Sequence, residues 1–432
     1  MFQTQFARPR SGGTEGGGDM KVGRRLAVLL AAVAVTALAL IGARANAAPA
    51  HKGSAKATTV RIWTDQDRKS SVTKVANTWA AKTGANVDIV VKAFPPTQDL
   101  SKVTAATAPD VVLAPHDTTG ALAADGLVQQ IFLSKAVKKQ LPAWVLRSFS
   151  YGGKLYGVPT QIENVGLVVN TKLAKVPKTW AQLEREALAF KRKSSDNLGI
   201  AVQQGSGGDA YHMYPFFSGL CGYIFQQSKS GALNPHKIGV ANPKFLKNAS
   251  LVDKWNREGL INSKVTSGTA QTAFLGQKAA FWITGPWNSD TLKKSGLSFR
   301  IIQVPKIKCA SVPFLGVQGF AVTKFASDHG VSSLAKDFVV NYLTKPSAQL
   351  DLSQASGRYP ANTVAGKQVH DSVLAQFGRA GAGGVPMPNI PEMASVWGDL
   401  GGAWVNATKG SGATPARTAF ITAARNIAAK IG

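Results

Sequence analysis

The sequence predicts an α/β fold, and three observations carry that expectation. Between residues 60 and 131, three short apolar runs rich in β-branched residues alternate with stretches of helical spacing. The first and third runs empty into polar turns at their C-terminal ends, where ligands gather in an open parallel sheet. The chain has 432 residues, enough for two or three domains and a large core.

Residues 60–63 read as the first strand and 65–69 as the polar loop beyond it. The stretch 71–83 has helical spacing, with Val72, Val75, Ala76 and Trp79 on one face and Gly84 as its stop. A second strand at 87–91 and a helix through 100–106 lead to Val111-Val112-Leu113, a third strand. That strand breaks at Ala114-Pro115-His116-Asp117, and Thr118 or Thr119 caps a short helix over 120–124, closed by Gly126. Asp117 is then either a ligand-facing residue at a strand end or a solvated turn residue. Strand-helix-strand-helix-strand begins an α/β domain with a largely parallel sheet.

Further on, 149–156 reads as a hairpin turning at Gly152-Gly153, followed by strands at 165–170 and 200–203 with a helix at 180–193 between them. A Gly-containing loop at 206–209 precedes a helical segment from Tyr211, which tolerates Pro215 in its first turn. Helices follow at 246–258, ended by Gly259, and from 269 to 275. The apolar strand 279–283 empties into Thr284-Gly285-Pro286-Trp287. Strands at 299–304 and 314–322, a serine-capped helix at 332–343, a proline-rich loop at 386–391 and helices at 393–408 and 415–429 complete the chain. No internal repeat of fixed period is present.

Five segments in order carry a resemblance. RIWTDQDRKSSVTKVANTWAAKTGANVDI, PDVVLAPHDTTGALAADGLV, YGGKLYGVPTQIENVGLVVNTKLAKVPKTWAQL, AAFWITGPWNSDTL and VPMPNIPEMASVWGDL resemble bacterial extracellular solute-binding proteins of the maltose/maltodextrin-binding type. Together they span roughly residue 58 to the C-terminus. The resemblance implies a two-lobed periplasmic-binding-protein fold (type II), with three hinge crossings near 161–163, 315–319 and 358–363. It divides the chain into an N-terminal lobe at 58–160, a C-terminal lobe at 164–315, a return to the first lobe at 319–362 and closing C-terminal-lobe helices at 363–432. It implies the substrate-binding component of an ABC importer. Such a protein binds maltose, a maltodextrin or a related oligosaccharide in the inter-lobe cleft, as a monomer without cofactor or metal. It delivers the sugar to permease subunits served by a cytoplasmic ATPase. The alternatives are a binder of another solute class and a secreted carbohydrate-active enzyme.

Sugar recognition needs planar polar groups for vicinal hydroxyls and flat rings for the apolar faces of pyranoses. By the resemblance, Asp67 and Arg68 match an Asp-Lys pair that binds hydroxyls, while Asp117 and Glu163 match a binding Asp and a binding Glu. Asp65 is a weaker candidate beside them, and any one of these could be a surface charge. Trp287 and Trp397 match stacking tryptophans, and Tyr211 and Tyr214 an aromatic pair on the C-terminal lobe. The alternative for each ring is core packing. The chain departs from the pattern at Ala114, where the family has a stacking Trp, at Thr118, where it has Arg, and at Ser289, where it has a second aromatic. These losses imply altered subsites. No carboxylate is marked as a proton donor, and no Gly-x-Ser-x-Gly, His-Glu-x-x-His or Walker loop occurs.

The chain carries 50 Lys/Arg against 23 Asp/Glu. The basic residues are dispersed, with no run beyond Lys191-Arg192-Lys193 and no nucleic-acid motif, so a solvated basic surface is expected and not a nucleic-acid site. At the N-terminus, Lys21, Arg24 and Arg25 precede an apolar run over 26–41 and small residues at Ala43, Ala45 and Ala47. That order within residues 1–50 is an export signal, with an uncleaved anchor as the alternative. No cysteine lies near its cleavage region, so the usual bacterial lipid anchor is not expected. Cys221 and Cys309 would meet an oxidising compartment and form one disulfide, or remain two buried thiols.

Overall fold

The computed structural model describes residues 58–229 and 231–432, and the expected export signal lies outside the described residues. Two separate sheets organise them. The large sheet runs in the order Tyr359–Pro360, Val158–Asn164, Phe314–Val322, Val111–Pro115, Thr59–Asp65, Asn86–Lys92, with Val385–Pro386 beside the start of Phe314–Val322. The small sheet runs Phe299–Ile302, Gly166–Asn170, Phe281–Thr284, Ala201–Val202.

In the large sheet the strands of the first α/β unit, Thr59–Asp65, Asn86–Lys92 and Val111–Pro115, are mutually parallel, and Val385–Pro386 runs parallel to Phe314–Val322. Phe314–Val322 runs antiparallel to both of its long neighbours, so the largely parallel sheet expected from the first alternation is mixed. The physical reason is its route: it enters from the small sheet instead of by a right-handed helical crossover.

Helix Lys69–Thr83 buries Val72, Val75, Ala76 and Trp79 and ends on Gly84 at φ 70°, as its spacing predicts. Trp79 meets Phe338 with ring centroids 5.1 Å apart in the core of the large sheet. The small sheet has its own core, in which Phe216 meets Trp180 and Trp255 edge to face, the two tryptophans lie tilted together, and Trp404 stands across Phe420. Each such fully buried side chain contributes about 1.5–3 kcal/mol from apolar surface alone. Among the described residues, no helix is long and apolar enough to cross a membrane.

The chain leaves the large sheet at Asn164 and enters the small one at Gly166. It re-enters the large sheet at Phe314 and leaves it again after Pro360, when helix Ser372–Ala380 sends Phe377 into a small-sheet core. A further visit was not foreseen. Val385–Pro386 pairs with Phe314 and Leu315, and the segment behind it is stitched to the first lobe. There Asn389 Nδ2 donates to the carbonyls of Arg147, Ser148 and Ser150 at 2.8–3.0 Å. Gly120 makes room, since a Cβ there would lie 2.4 Å from the Asn389 carbonyl oxygen.

Some local expectations fail. Residues 100–106 hold turns and a short 3-10 element, Ala105–Thr107, in place of a helix. The stretch 332–343 begins as α-helix at Ser332–Lys336 but continues as a π-helix over Asp337–Tyr342. The hairpin of Phe225–Gln227 and Leu233–Ile238 and the helix Pro346–Ser356 had no counterpart in the expected elements.

Candidate functional site

The site grows from strand ends. Beyond Thr59–Asp65, Arg68 folds back so that its backbone N–H and Nη1 both donate to Asp65, at 2.9 and 2.6 Å. Its Nη2 reaches Glu163 Oε2 at 3.0 Å. Arg358 Nε reaches the same oxygen at 2.8 Å, and Gln318 Nε2 donates to Oε1 at 2.8 Å. Glu163, Arg68 and Arg358 are all nearly inaccessible to solvent. Burial alone would raise the Glu163 carboxyl, but the Arg68 and Arg358 guanidiniums outweigh it and hold it below its ordinary value. Gly316 leaves room beside this network, since a Cβ there would press on Glu163 Cγ at 3.0 Å and the Tyr211 hydroxyl at 3.2 Å.

From the small-sheet side comes a row of rings. Trp287 lies in the turn after Phe281–Thr284, 6.3 Å from Tyr211. Tyr211 is stacked 6.2 Å from Phe314, and Phe314 stands 5.8 Å from Trp397. Trp287 is also capped by the Arg358 guanidinium, 6.0 Å from its centroid, which ties the row to the ion network. Trp397 closes the far end by donating Nε1–H to Asp117 Oδ2 at 2.9 Å.

Asp117 stays half-buried, and enclosure by protein raises its carboxyl to about 6 in spite of the Trp397 bond. Its neighbour His116 is fully buried. Nδ1 accepts from Val317 N–H at 3.0 Å, so Nε2 carries the proton and donates to the Met387 carbonyl, also at 3.0 Å. Burial lowers this imidazole to about 4, so it is neutral. The Tyr211 hydroxyl is raised well above its usual value by burial and by Glu163, Asp209 and Asp117, and serves as a donor.

The expected site residues fall into three groups. Asp117, Glu163, Tyr211, Trp287 and Trp397 are brought together. Asp67 is mostly exposed, 3.7 Å from Arg358 Nη2, while Arg68 is locked in the buried network and not free as half of a hydroxyl-binding pair. Tyr214 lies one layer deeper, buried and stacked face to face on Phe314 with centroids 3.5 Å apart. Ala114 and Ser289 are buried in place, and Thr118 bonds back to the Pro115 carbonyl.

Five residues of the cluster were not foreseen: Arg358, Gln318, His116, Asp209 and the ring of Phe314. Asp209 caps helix Ala210–Gly219, accepts from Gln203 Nε2 at 2.7 Å and sits 2.8 Å from His212 Nδ1. An acidic residue two positions before Tyr211 at a helix start was the signal available for it. Cys221 and Cys309 are bonded, fastening the end of that helix to the segment that leads into Phe314.

Chemically, the cluster offers flat rings on one side and carboxylates with fixed guanidiniums on the other, a surface for a neutral polyol with apolar faces. The comparisons agree with this chemistry. Over 396 residues the chain is 25% identical to the galactooligosaccharide-binding protein of Bacillus subtilis (strain 168), covering 88% of this chain and 91% of that one. It is 26% identical to a maltooligosaccharide ABC transporter solute-binding lipoprotein of Streptococcus pneumoniae (strain ATCC BAA-255 / R6), covering 85% of this chain and 89% of the relative. The solved structure of Thermus thermophilus maltotriose binding protein bound with maltotriose superposes with a TM-score of 0.76 at 26% identity, covering 86% of this chain and all of that one. A family model described as bacterial extracellular solute-binding protein matches residues 74–375, and with the two-sheet, two-lobed fold it establishes that the chain belongs to the bacterial extracellular solute-binding proteins.

Proposed function

We propose that this protein is the extracytoplasmic receptor of an ABC importer and that it binds a malto-oligosaccharide, or a related neutral oligosaccharide, between its lobes without altering it. The observation that carries this is the partly buried rings Trp287, Tyr211 and Trp397, backed by the buried ring of Phe314, facing Asp117 and the Glu163 network. Rings cover the C–H faces of pyranoses, and the carboxylates and fixed N–H groups take their hydroxyls. The oligosaccharides that the relatives bind, and the ABC transporter that one of them serves, support the same ligand class and the transporter partner. Asp117, Glu163, Tyr211, Trp287 and Trp397 are the proposed contacts, and the passages at 164–166, 302–314 and after 360 are the proposed hinges. Closure over the ligand presents both lobes to the permease subunits, which the cytoplasmic ATPase drives.

One observation favours a second reading, hydrolysis. A carboxyl raised to about 6, as at Asp117, is what a glycosidase uses as its acid. Against it, Glu163 is occupied by two arginines and Gln318, which leaves it poorly suited as a nucleophile or base. Calorimetric titration with maltose, maltotriose, trehalose, cellobiose and xylobiose, followed by recovery of the sugar after hours, decides the matter. Saturable heat with intact sugar is expected. Reducing-end release would establish the enzyme, and heat from a peptide or polyamine alone would reject the carbohydrate class.

A further inference from the structure

The rings of the proposed site all stand on the small-sheet side of Glu163 or at the start of Phe314–Val322, while the large-sheet wall contributes charges. One ring on that wall is left open. Phe94, two residues beyond Asn86–Lys92, is 54% exposed. Lys92 pairs in register with Asp65, so Phe94 leaves the sheet at the same edge as the loop that bears Arg68. The Arg68 guanidinium lies 5.7 Å from the Phe94 centroid while its other nitrogens hold Asp65 and Glu163. The ring is therefore one guanidinium outward from the centre of the site. Its exposure is built in, because the loop behind it is pinned by buried Pro96, Thr97 and Leu100. Arg68 Nε–H, close to it, finds no acceptor among the described residues.

We propose that Phe94 is the stacking surface of the large-sheet wall, an outer subsite that takes the apolar face of a sugar ring in chains longer than a disaccharide. It rests on the carbohydrate reading and deepens it by assigning length preference to one side chain. The ring would cover one pyranose face, and the guanidinium beneath it would stay engaged with Glu163, so the inner site would be unaffected by its loss.

The test is calorimetric titration of maltose, maltotriose and maltotetraose into the wild type, Phe94→Ala and Phe94→Trp, with melting curves alongside. Phe94→Ala should weaken maltotetraose, or maltotriose and maltotetraose, by about three- to ten-fold while maltose is unchanged. Phe94→Trp should keep or tighten the longer sugars. Wild-type affinities in Phe94→Ala for all three sugars would overturn the subsite alone. So would an equal loss across all three, or a loss that follows a lower melting temperature, since both mark a structural role. No saturable heat from the wild type with any of them would overturn the carbohydrate reading and the subsite together.

Discussion

Glu163 shows how a residue expected to meet ligand becomes the keystone of the site itself. Three protein N–H groups already point at its two oxygens, two of them from buried guanidiniums. Glu163→Gln keeps the shape but leaves Arg68 and Arg358 short of countercharge in a dry interior, which costs about 3–5 kcal/mol when one partner of a buried pair is lost. Denaturant unfolding should show that fall, and an unchanged midpoint would contradict the network. The neighbours His116 and Asp117 respond to pH in opposite directions. His116 is lowered from 6.5 to about 4, so its contribution is present above 6.5 and is lost as pH falls through about 4. Asp117 is raised from 3.8 to about 6, so its contribution is full below 3.8 and is lost as pH rises through about 6. Melting curves between pH 4 and 7 should therefore show the wild type losing ground to Asp117→Asn as pH rises; parallel curves would refute the shift. Glu163 and Asp117 were legible because each ends or follows a strand. Arg358 was not, because its bond to Glu163 spans 195 residues and nothing local marks it.

At the scale of elements, helix Ala210–Gly219 and the segment before Phe314–Val322 are fastened together behind the ring row. The disulfide closes a separation of 88 residues, the Gly219 carbonyl accepts from the N–H groups of Lys308 and Cys309, and Ser218 Oγ donates to the Val312 carbonyl. Reduction, or Cys221→Ser with Cys309→Ser, should cost about 2–5 kcal/mol. It should also weaken sugar binding, since Tyr211 and Phe314 sit on the two joined pieces. A melting temperature indifferent to reductant would contradict this. Helix Lys69–Thr83 was readable from Val72, Val75, Ala76 and Trp79, whose spacing only a helix can bury on one side. Leu100, Val103 and Ala106 mimic that spacing, yet Pro95 and Pro96 upstream and a Thr-rich stretch favour turns, and Leu100 is buried without a helix. The hairpin at 225–238 packs Phe225, Leu233 and Ile238 against the small-sheet core, but its register shifts between Asn234 and Ile238, so no unbroken apolar alternation marks it. Helix Pro346–Ser356 has Pro at its first turn and Gly357 beyond its end, local signals that mark both of its bounds.

The whole molecule couples two sheets through the site. Trp397 to Asp117 and His116 to Met387 bind the closing segments to the large-sheet wall, and Asn389 holds the strap at 385–391 to the first lobe. Contacts from both walls favour a closed state when ligand is present, so small-angle scattering should give a smaller radius of gyration with saturating maltotriose. An unchanged radius would mean a preformed, rigid site. Two lobes were legible from five ordered segments, while the strap was not, since a proline-rich loop does not announce its partners. The measurement that bears most directly on the whole account is a calorimetric titration of maltotriose into the wild type beside Trp287→Ala. One saturable site per chain is expected, weakened about five- to a hundred-fold in the variant with its melting temperature nearly kept. No saturable heat in the wild type, or full affinity in a variant that melts several degrees lower, would contradict it.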